Sequence, residues 1–264
     1  MTRDAAAQAA ALLADARLAR TRLDGLPADC RPRDQAEAYA TQALLHATLA
    51  ARGLGPIAGH KIGCTTPVMQ RFLGIGSPCA GGMFTATIHR DAADLRLDDF
   101  LHVGVECEIA VRLGADLPAT GAPFDTARVA VAVDACMAAI EIVDDRWTDY
   151  KRVDTPSLIA DDFFNAACVL GPPIADWRML DLAQIVGVTT INGIEAGRGR
   201  GADVMGHPLA ALAWLADSLA ARGETLRAGD VVLTGSVVET RWVSRGDTVV
   251  ASLSGLGEAR ADFR

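Results

Sequence analysis

The sequence is short of aromatics, of basic charge, of paired cysteines and of long uncharged apolar runs, and each shortage removes a class of function. Aromatics make up 5% of the 264 residues while hydrophobic residues make up 50%, so the core must be mainly aliphatic. The net charge of −8 argues against a nucleic-acid partner, because binding a polyanion needs a basic face to neutralise its phosphates. The six cysteines (Cys30, Cys64, Cys79, Cys107, Cys136 and Cys168) form no C-x-x-C pair, and several sit in apolar runs. That pattern suits buried, reduced thiols better than a zinc ribbon. No segment approaches the roughly 18–20 uncharged apolar residues of a spanning helix. The opening Met1-Thr2-Arg3-Asp4 leads into an alanine-rich stretch broken by Asp15 and Arg17, unlike a signal-peptide core. The expectation is a cytoplasmic protein with no membrane partner.

What is present divides the chain in two. Residues 2–24, rich in Ala, Leu and Arg, predict an amphipathic helix closed by Pro27, and a second helix is expected from Arg33 to about Ala51, stopped by Gly53 and Gly55. No strand signal precedes Ile57. Strands are then expected over 57–63, 83–89, 103–113, 138–143, 166–170, 186–192, 195–198, 231–237 and 248–254, with a last one after Gly257. Helices are expected over 66–73, with Pro67 at its first position, and over 126–136, 158–164 and 207–221. Asn192-Gly193 is a strong two-residue hairpin signal. The helices are interspersed irregularly, which argues against a doubly wound sheet. The expected fold is α+β: a mixed, mostly antiparallel β-roll or barrel-like core with outer helices. A helical N-terminal segment over 1–55 precedes a β-roll domain over 56–264, the two forming one compact unit.

Three carboxylates stand where carboxylates are costly. In Gly104-Val105-Glu106-Cys107-Glu108-Ile109 the strand alternation puts Glu106 and Glu108 on one face and Val105, Cys107 and Ile109 on the other. An E-x-E alone is commonly a solvated edge. Glu141 shifts the balance, because Cys136-Met137-Ala138-Ala139-Ile140-Glu141-Ile142-Val143 reads as a strand buried on both faces. A carboxylate there needs an ion-pair partner, for which Lys61 and Arg146 are candidates, or a metal. Three acids from two strands can converge on one cation, and all-oxygen ligation suits Mg²⁺ or Mn²⁺. Lys61, in the glycine-flanked Gly59-His60-Lys61-Ile62-Gly63, is either a proton-moving group near those acids or a lysine at a strand end. His60 faces the other way and reads as structural. His207 reads as a helix cap, and His102 has no ligand spacing. Asp144, Asp145, Arg146, Asp161 and Asp162 are either site-lining residues or ordinary ion-pairing and helix-start residues. The run Gly197-Arg198-Gly199-Arg200-Gly201, short and set in an acidic chain, reads as a loop rather than an RNA-binding tail.

Taken together, His60-Lys61-Ile62-Gly63-Cys64-Thr65-Thr66-Pro67, Val105-Glu106-Cys107-Glu108-Ile109-Ala110 and Ala139-Ile140-Glu141-Ile142-Val143-Asp144 resemble the fumarylacetoacetate hydrolase superfamily. The similarity extends through Asp154-Thr155, Gly206-His207-Pro208 with Trp214-Leu215-Ala216, and Gly229-Asp230 to Leu233-Thr234-Gly235-Ser236. It points to the branch of 2-keto-4-pentenoate hydratases and 4-oxalocrotonate decarboxylases. The resemblance implies a mixed β-roll, a Mg²⁺ or Mn²⁺ on Glu106, Glu108 and Glu141, a catalytic Lys61, and a substrate pocket lined by Thr234, Gly235 and Ser236. It also implies a homo-oligomer and raises a partner enzyme of the same pathway. Two positions depart from the branch. Cys79 stands after Pro78 where an Asp is usual, and Ala160-Asp161-Asp162-Phe163-Phe164 puts Phe164 where a serine is usual. Cys79, Phe164 and Asp161 are therefore expected to line an altered, more apolar pocket.

The chemistry this implies is metal-assisted enolate chemistry on a small 2-hydroxy-2,4-dienoate or 2-oxo acid, with hydration the leading reaction. Decarboxylation of a 2-oxo acid and hydrolysis of a C–C bond need the same electron sink. A nonenzymatic partner subunit is the alternative outside enzymes, and retention of all three acids speaks against it.

Overall fold

The first helix, α1 (Arg3–Ala19), starts where the Thr2 hydroxyl accepts the Ala5 N–H. It ends well before Pro27 because Arg20 turns left-handed (φ 54°) and its N–H closes on the carbonyls of Ala16 and Arg17. Helix α2 (Gln35–Leu49) is capped by Asp34, whose carboxylate accepts the Glu37 N–H, and unwinds through a wide turn over Ala50–Leu54 at Gly53. This computed structural model describes residues 1–66, 70–71 and 74–264. The helix expected over 66–73 falls mostly outside the described residues.

Among the described residues thirteen strands follow: β1 (Ile57–Gly63), β2 (Cys79–Phe84), β3 (Ile88–Arg90), β4 (Ala92–Leu95), β5 (Val103–Leu113), β6 (Val133–Asp144), β7 (Asn165–Leu170), β8 (Val186–Ile191), β9 (Ile194–Arg200), β10 (Val231–Ser236), β11 (Arg241–Trp242), β12 (Thr248–Leu253) and β13 (Gly257–Phe263). Between them lie α3 (Thr126–Ala132), α4 (Thr155–Ala160) and α5 (Pro208–Ala220). Three expectations need correction, the first being the helix over 158–164, which is instead α4 followed by a left-handed turn over Asp162–Phe164. The strand expected over 83–89 is instead β2, a turn at Thr85–Thr87, and the short β3. Gly81 and Gly82 mask β2 in the sequence; they are there because a Cβ at Gly81 would lie 2.9 Å from the Asp162 carbonyl and one at Gly82 2.5 Å from the His46 ring. The helix expected over 126–136 stops at Ala132, where Val133 turns extended and begins β6.

The larger sheet runs β2-β1-β10-β5-β6-β7-β3, with β11 also on β5; the smaller runs β4-β13-β12-β8-β9. Most pairings are antiparallel, the exceptions being β1–β10, β3–β7 and β4–β13. Strands β12 and β13 lie across β5 and β6, so the two sheets enclose the main core, to which Val105, Cys107, Ile109 and Val111 contribute. The larger sheet curls until β2 meets β7, but no closed barrel forms among the described residues. Its other face holds a smaller cluster of Met83, Ala110, Met137, Ala139, Cys168, Leu170, Val231 and Leu233. Glu106, Glu108, Glu141 and Lys61 lie in register with members of that cluster, on the same face. No described helix is long and apolar enough to cross a membrane.

Candidate metal centre and active site

The β5–β6 register sets Glu106 directly opposite Glu141, with Glu108 two residues along β5 on the same face. Like charges directly opposite on a sheet are destabilising without a cation between them. One carboxylate oxygen from each of the three lies within 4.8 Å of the others, the one group of this kind found among the described residues. Glu108 and Glu141 are fully buried and Glu106 partly so. Each carboxylate has a donor behind it. The Thr240 hydroxyl donates to Glu106 Oε1, the Gly235 N–H to Glu108 Oε2 at 2.7 Å, and Asn165 Nδ2 to Glu141 Oε1 at 2.9 Å. The second oxygens of Glu108 and Glu141, Oε1 and Oε2, are buried without a hydrogen-bond partner. Burial raises the pKa of Glu106 and of Glu108, and repulsion from Glu141 adds to both. Two orphaned carboxylate oxygens beside a third carboxylate form a donor set that fits a hard divalent cation.

Lys61 Nζ lies 3.3 Å from Glu141 Oε1, in a site where Lys61 is only 3% exposed. Burial alone would lower its pKa; the carboxylates of Glu141, Glu106 and Glu108 outweigh that and hold it above the usual lysine value. The Phe163 ring stands 5.7 Å from the ammonium, and a Cβ at Gly63 would come within 3.2 Å of Nζ. The glycine therefore leaves space for the lysine head. Arg146, the other candidate partner for Glu141, is turned to Asp161 instead.

Lys61 and Glu106 open into a cavity of about 730 Å³, walled by Tyr150, Phe163, Phe164, Val237 and Val238 among others. Of the residues expected to line the substrate site, Ser236 and Phe164 do so. Thr234 is fully buried and its hydroxyl donates to the Ile109 carbonyl. Gly235 sits at an irregularity in the β10–β5 register, which aims its N–H at Glu108. Cys79 lies one layer back, beside the cavity-lining Cys64; that contact and burial push its thiol pKa up. Asp161 faces two arginines rather than the cavity: Arg17 Nη2 at 2.8 Å and Arg146 Nε at 2.9 Å. Its expected place on the pocket wall gives way to an ion-pair role, because two buried guanidinium groups need its charge.

Several other side chains settle plainly. His207 Nδ1 accepts the Leu209 N–H and caps α5. His102 stacks on Trp242 at 4.0 Å. Burial pushes the His60 pKa down to about 4, so the ring is neutral near neutral pH. Asp144 accepts the N–H groups of Leu101 and His102. Asp145 lines the cavity and caps the Trp147 N–H. Gly197-Arg198-Gly199-Arg200 is strand β9, not a loop.

Sequence reasoning missed Asn165, Thr240 and Phe163. Asn165 and Thr240 carry no charge and interrupt no pattern. The signal for Phe163 lay in the backbone: Asp162, Phe163 and Phe164 are consecutive left-handed residues (φ 56°, 48° and 70°). Each such non-glycine residue costs on the order of 1–3 kcal/mol, so this strap holds only because its surroundings fix it.

Residues 82–264 match the family described as Fumarylacetoacetate (FAA) hydrolase C-terminal, and the chain belongs to that family. It is 37% identical over 256 residues to the 2-keto-4-pentenoate hydratase of Paraburkholderia phymatum, covering 96% of this chain and 95% of that one. It is 31% identical over 228 residues to a 4-oxalocrotonate decarboxylase of Pseudomonas putida, covering 86% and 85%. The fold superposes on that of 4-oxalocrotonate decarboxylase from Pseudomonas putida G7, complexed with magnesium and adipate, with a TM-score of 0.93 and 28% identity, covering 100% of this chain and 99% of that one.

Proposed function

We propose that the protein is a divalent-metal-dependent lyase that hydrates a 2-hydroxy-2,4-dienoate, or its 2-oxo tautomer, in the breakdown of aromatic-derived compounds. The observation that carries this is the three-glutamate cluster with two unpartnered buried oxygens, set 3.3 Å from a buried lysine at the end of a cavity. Glu106, Glu108 and Glu141 would hold Mg²⁺ or Mn²⁺. When bound there, the cation supplies Lewis acidity for the negative charge that develops at the 2-oxygen of the substrate. The Lys61 ammonium is placed to give a proton to the dienol carbon chain and, as the neutral amine that results, to take up the proton lost by the 2-hydroxyl, which converts the dienol to the 2-oxo form. The Phe163, Phe164 and Tyr150 rings line the cavity and limit water to the far end of the chain, where it adds. Ser236, on the cavity wall, is available to orient the substrate. Residues 1–55 and 56–264 act as one catalytic unit in this reading.

Decarboxylation of a 2-oxo acid is the second reading, and Phe164 favours it. A phenyl ring on the wall, at the position where the branch usually has a serine, removes a hydroxyl that could orient water. A panel of 2-hydroxydienoates and 2-oxo diacids with Mg²⁺ separates the two, reading dienol absorbance and CO2 release in parallel. Glu106→Gln and Glu141→Gln should each weaken Mg²⁺ binding by about tenfold or more in calorimetry. Unchanged affinity in both would remove the ligand assignment. Lys61→Met should keep Mg²⁺ and lose about 10²–10⁴ in turnover; full activity would remove the lysine from the mechanism.

A further inference from the structure

The family match begins at residue 82, so α1 and α2 lie wholly outside it. Two of their side chains nevertheless reach Asp161 and Asp162, next to the cavity-lining Phe163 and Phe164. Arg17, on α1, donates Nη2 to Asp161 Oδ1 at 2.8 Å and to the Asp161 carbonyl at 3.0 Å, and Nη1 to Asp162 Oδ2 at 3.2 Å. His46, on α2, places Nε2 at 2.6 Å from Asp162 Oδ1, which also accepts the Gly82 N–H at 2.9 Å. The Asp162 carboxylate is therefore held from three elements, and it is fully buried. Asp162 opens the left-handed strap that carries Phe163 and Phe164.

Phe163 has no polar group of its own to anchor it. The place of its ring over Lys61 is set by the backbone of the strap, and that backbone is set by what grips Asp161 and Asp162. Arg146 grips the strap from the sheet side, donating to the Asp161, Phe164 and Asn165 carbonyls. The absent side chains of Gly81 and Gly82 let the strap and His46 approach β2.

We propose that Arg17 and His46 are positioning residues of the active site: from the N-terminal helices they lock the Asp161–Phe164 strap and so fix the Phe163 ring over the Lys61 ammonium. This rests on the reading of Lys61 as the proton-moving group. The helices thus contribute to the rate of proton transfer and not only to stability.

The chain has two lysines, Lys61 and Lys151, and Lys151 is exposed. Amine modification by a small reagent such as cyanate, read by mass spectrometry, therefore reports Lys61 against an internal reference. In the Mg²⁺-loaded full chain, His46→Leu and Arg17→Lys should each raise the Lys61:Lys151 modification ratio by about fivefold or more. The same variants should lower kcat by about tenfold or more, while KM and the Mg²⁺ Kd stay within about twofold. His46→Gln, whose amide can still donate to Asp162, should restore most of both. Phe163→Leu should reproduce the kcat loss, and His46→Leu combined with Phe163→Leu should be no slower than Phe163→Leu alone.

An unmoved modification ratio in folded His46→Leu overturns the proposal, as does full additivity in the double variant. Should Arg17→Lys fail to fold, the His46 pair still decides. Should the wild type turn over none of the panel, the reaction assignment falls, while the modification ratio still tests the clamp.

Discussion

Asn165 decides which oxygen of Glu141 is left for a cation. Its amide and the Lys61 ammonium both approach Oε1, so Oε2 stays unpartnered. Asn165→Leu removes the amide from a site only 2% exposed and frees the carboxylate to rotate. Mg²⁺ affinity should fall by about 10- to 100-fold in calorimetry, with the fold retained. Affinity equal to wild type would show that Glu141 needs no such support. At this scale, charge was the legible signal. Glu106, Glu108, Glu141 and Lys61 stood out because charged residues are rare in apolar runs, and the structure brings them together. Asn165 and Thr240 were not legible, because a neutral polar residue at a strand end or in a loop is unremarkable until its partner across the fold is known. Resemblance alone puts Cys79 on the pocket, and Asp161 has a second reading as an ordinary ion-pairing or helix-start acid. A position in a motif does not say which way a side chain turns, and Asp161 turns to Arg17 and Arg146.

Glycines do the corresponding work for whole elements. Gly235, left-handed at φ 118°, carries the irregularity in β10 that points its N–H at Glu108, and a Cβ there would lie 2.6 Å from the Thr65 side chain. Gly235→Ala should destabilise the protein by about 1–3 kcal/mol in urea unfolding and weaken Mg²⁺ binding. A stability loss with unaltered affinity would mean that the N–H holds no part of the metal centre. On β9, a Cβ at Gly199 would overlap the Val237 carbonyl at 1.7 Å, and one at Gly197 the Val238 side chain at 2.3 Å. The Gly-Arg alternation is thus a strand with its glycines against the 237–241 segment, which walls the cavity. The expected strand over 195–198 stops short of Arg200 because period-two hydrophobicity cannot show the far end of β9, whose inward positions have no side chains. The same reason hid β2. Strands with alternating or β-branched residues, such as β5, were read to the residue. The Asn192-Gly193 hairpin was equally clear, and both residues have the positive φ its turn requires (53° and 78°). The end of α3 was missed because β6, buried on both faces, has an apolar run without alternation.

For the molecule as a whole, buried carboxylates of opposite habit set the response to pH. Glu106 and Glu108 have raised pKa values. The stability they contribute is complete below their unfolded value of about 4.3 and is lost as pH rises through the higher folded value. Asp162 behaves the other way. Burial would raise its pKa, but His46, Arg17 and the Gly82 N–H outweigh that and hold it below the ordinary range. Its contribution is present above about 3.9 and is lost as pH falls below that. The metal-free protein should therefore lose Tm as pH rises from about 5 to about 8. A saturating cation should oppose the loss, because ligand deprotonation favours binding and binding stabilises the fold. Scanning calorimetry with EDTA and with Mg²⁺ should show a gap that widens with pH. A gap constant across the range would detach these carboxylates from the cation.

The grip of Arg17 and His46 on Asp161 and Asp162 also limits how such a chain can be recombined. Residues 1–55 look exchangeable, a pair of helices ahead of a sheet. Yet they hold half of an ion-pair lock whose other half lies more than a hundred positions further on. A change on either side without its match should leave the strap ungripped. Chimeras that join a relative's helices to this sheet without its matching acids should fold and bind metal yet turn over slowly.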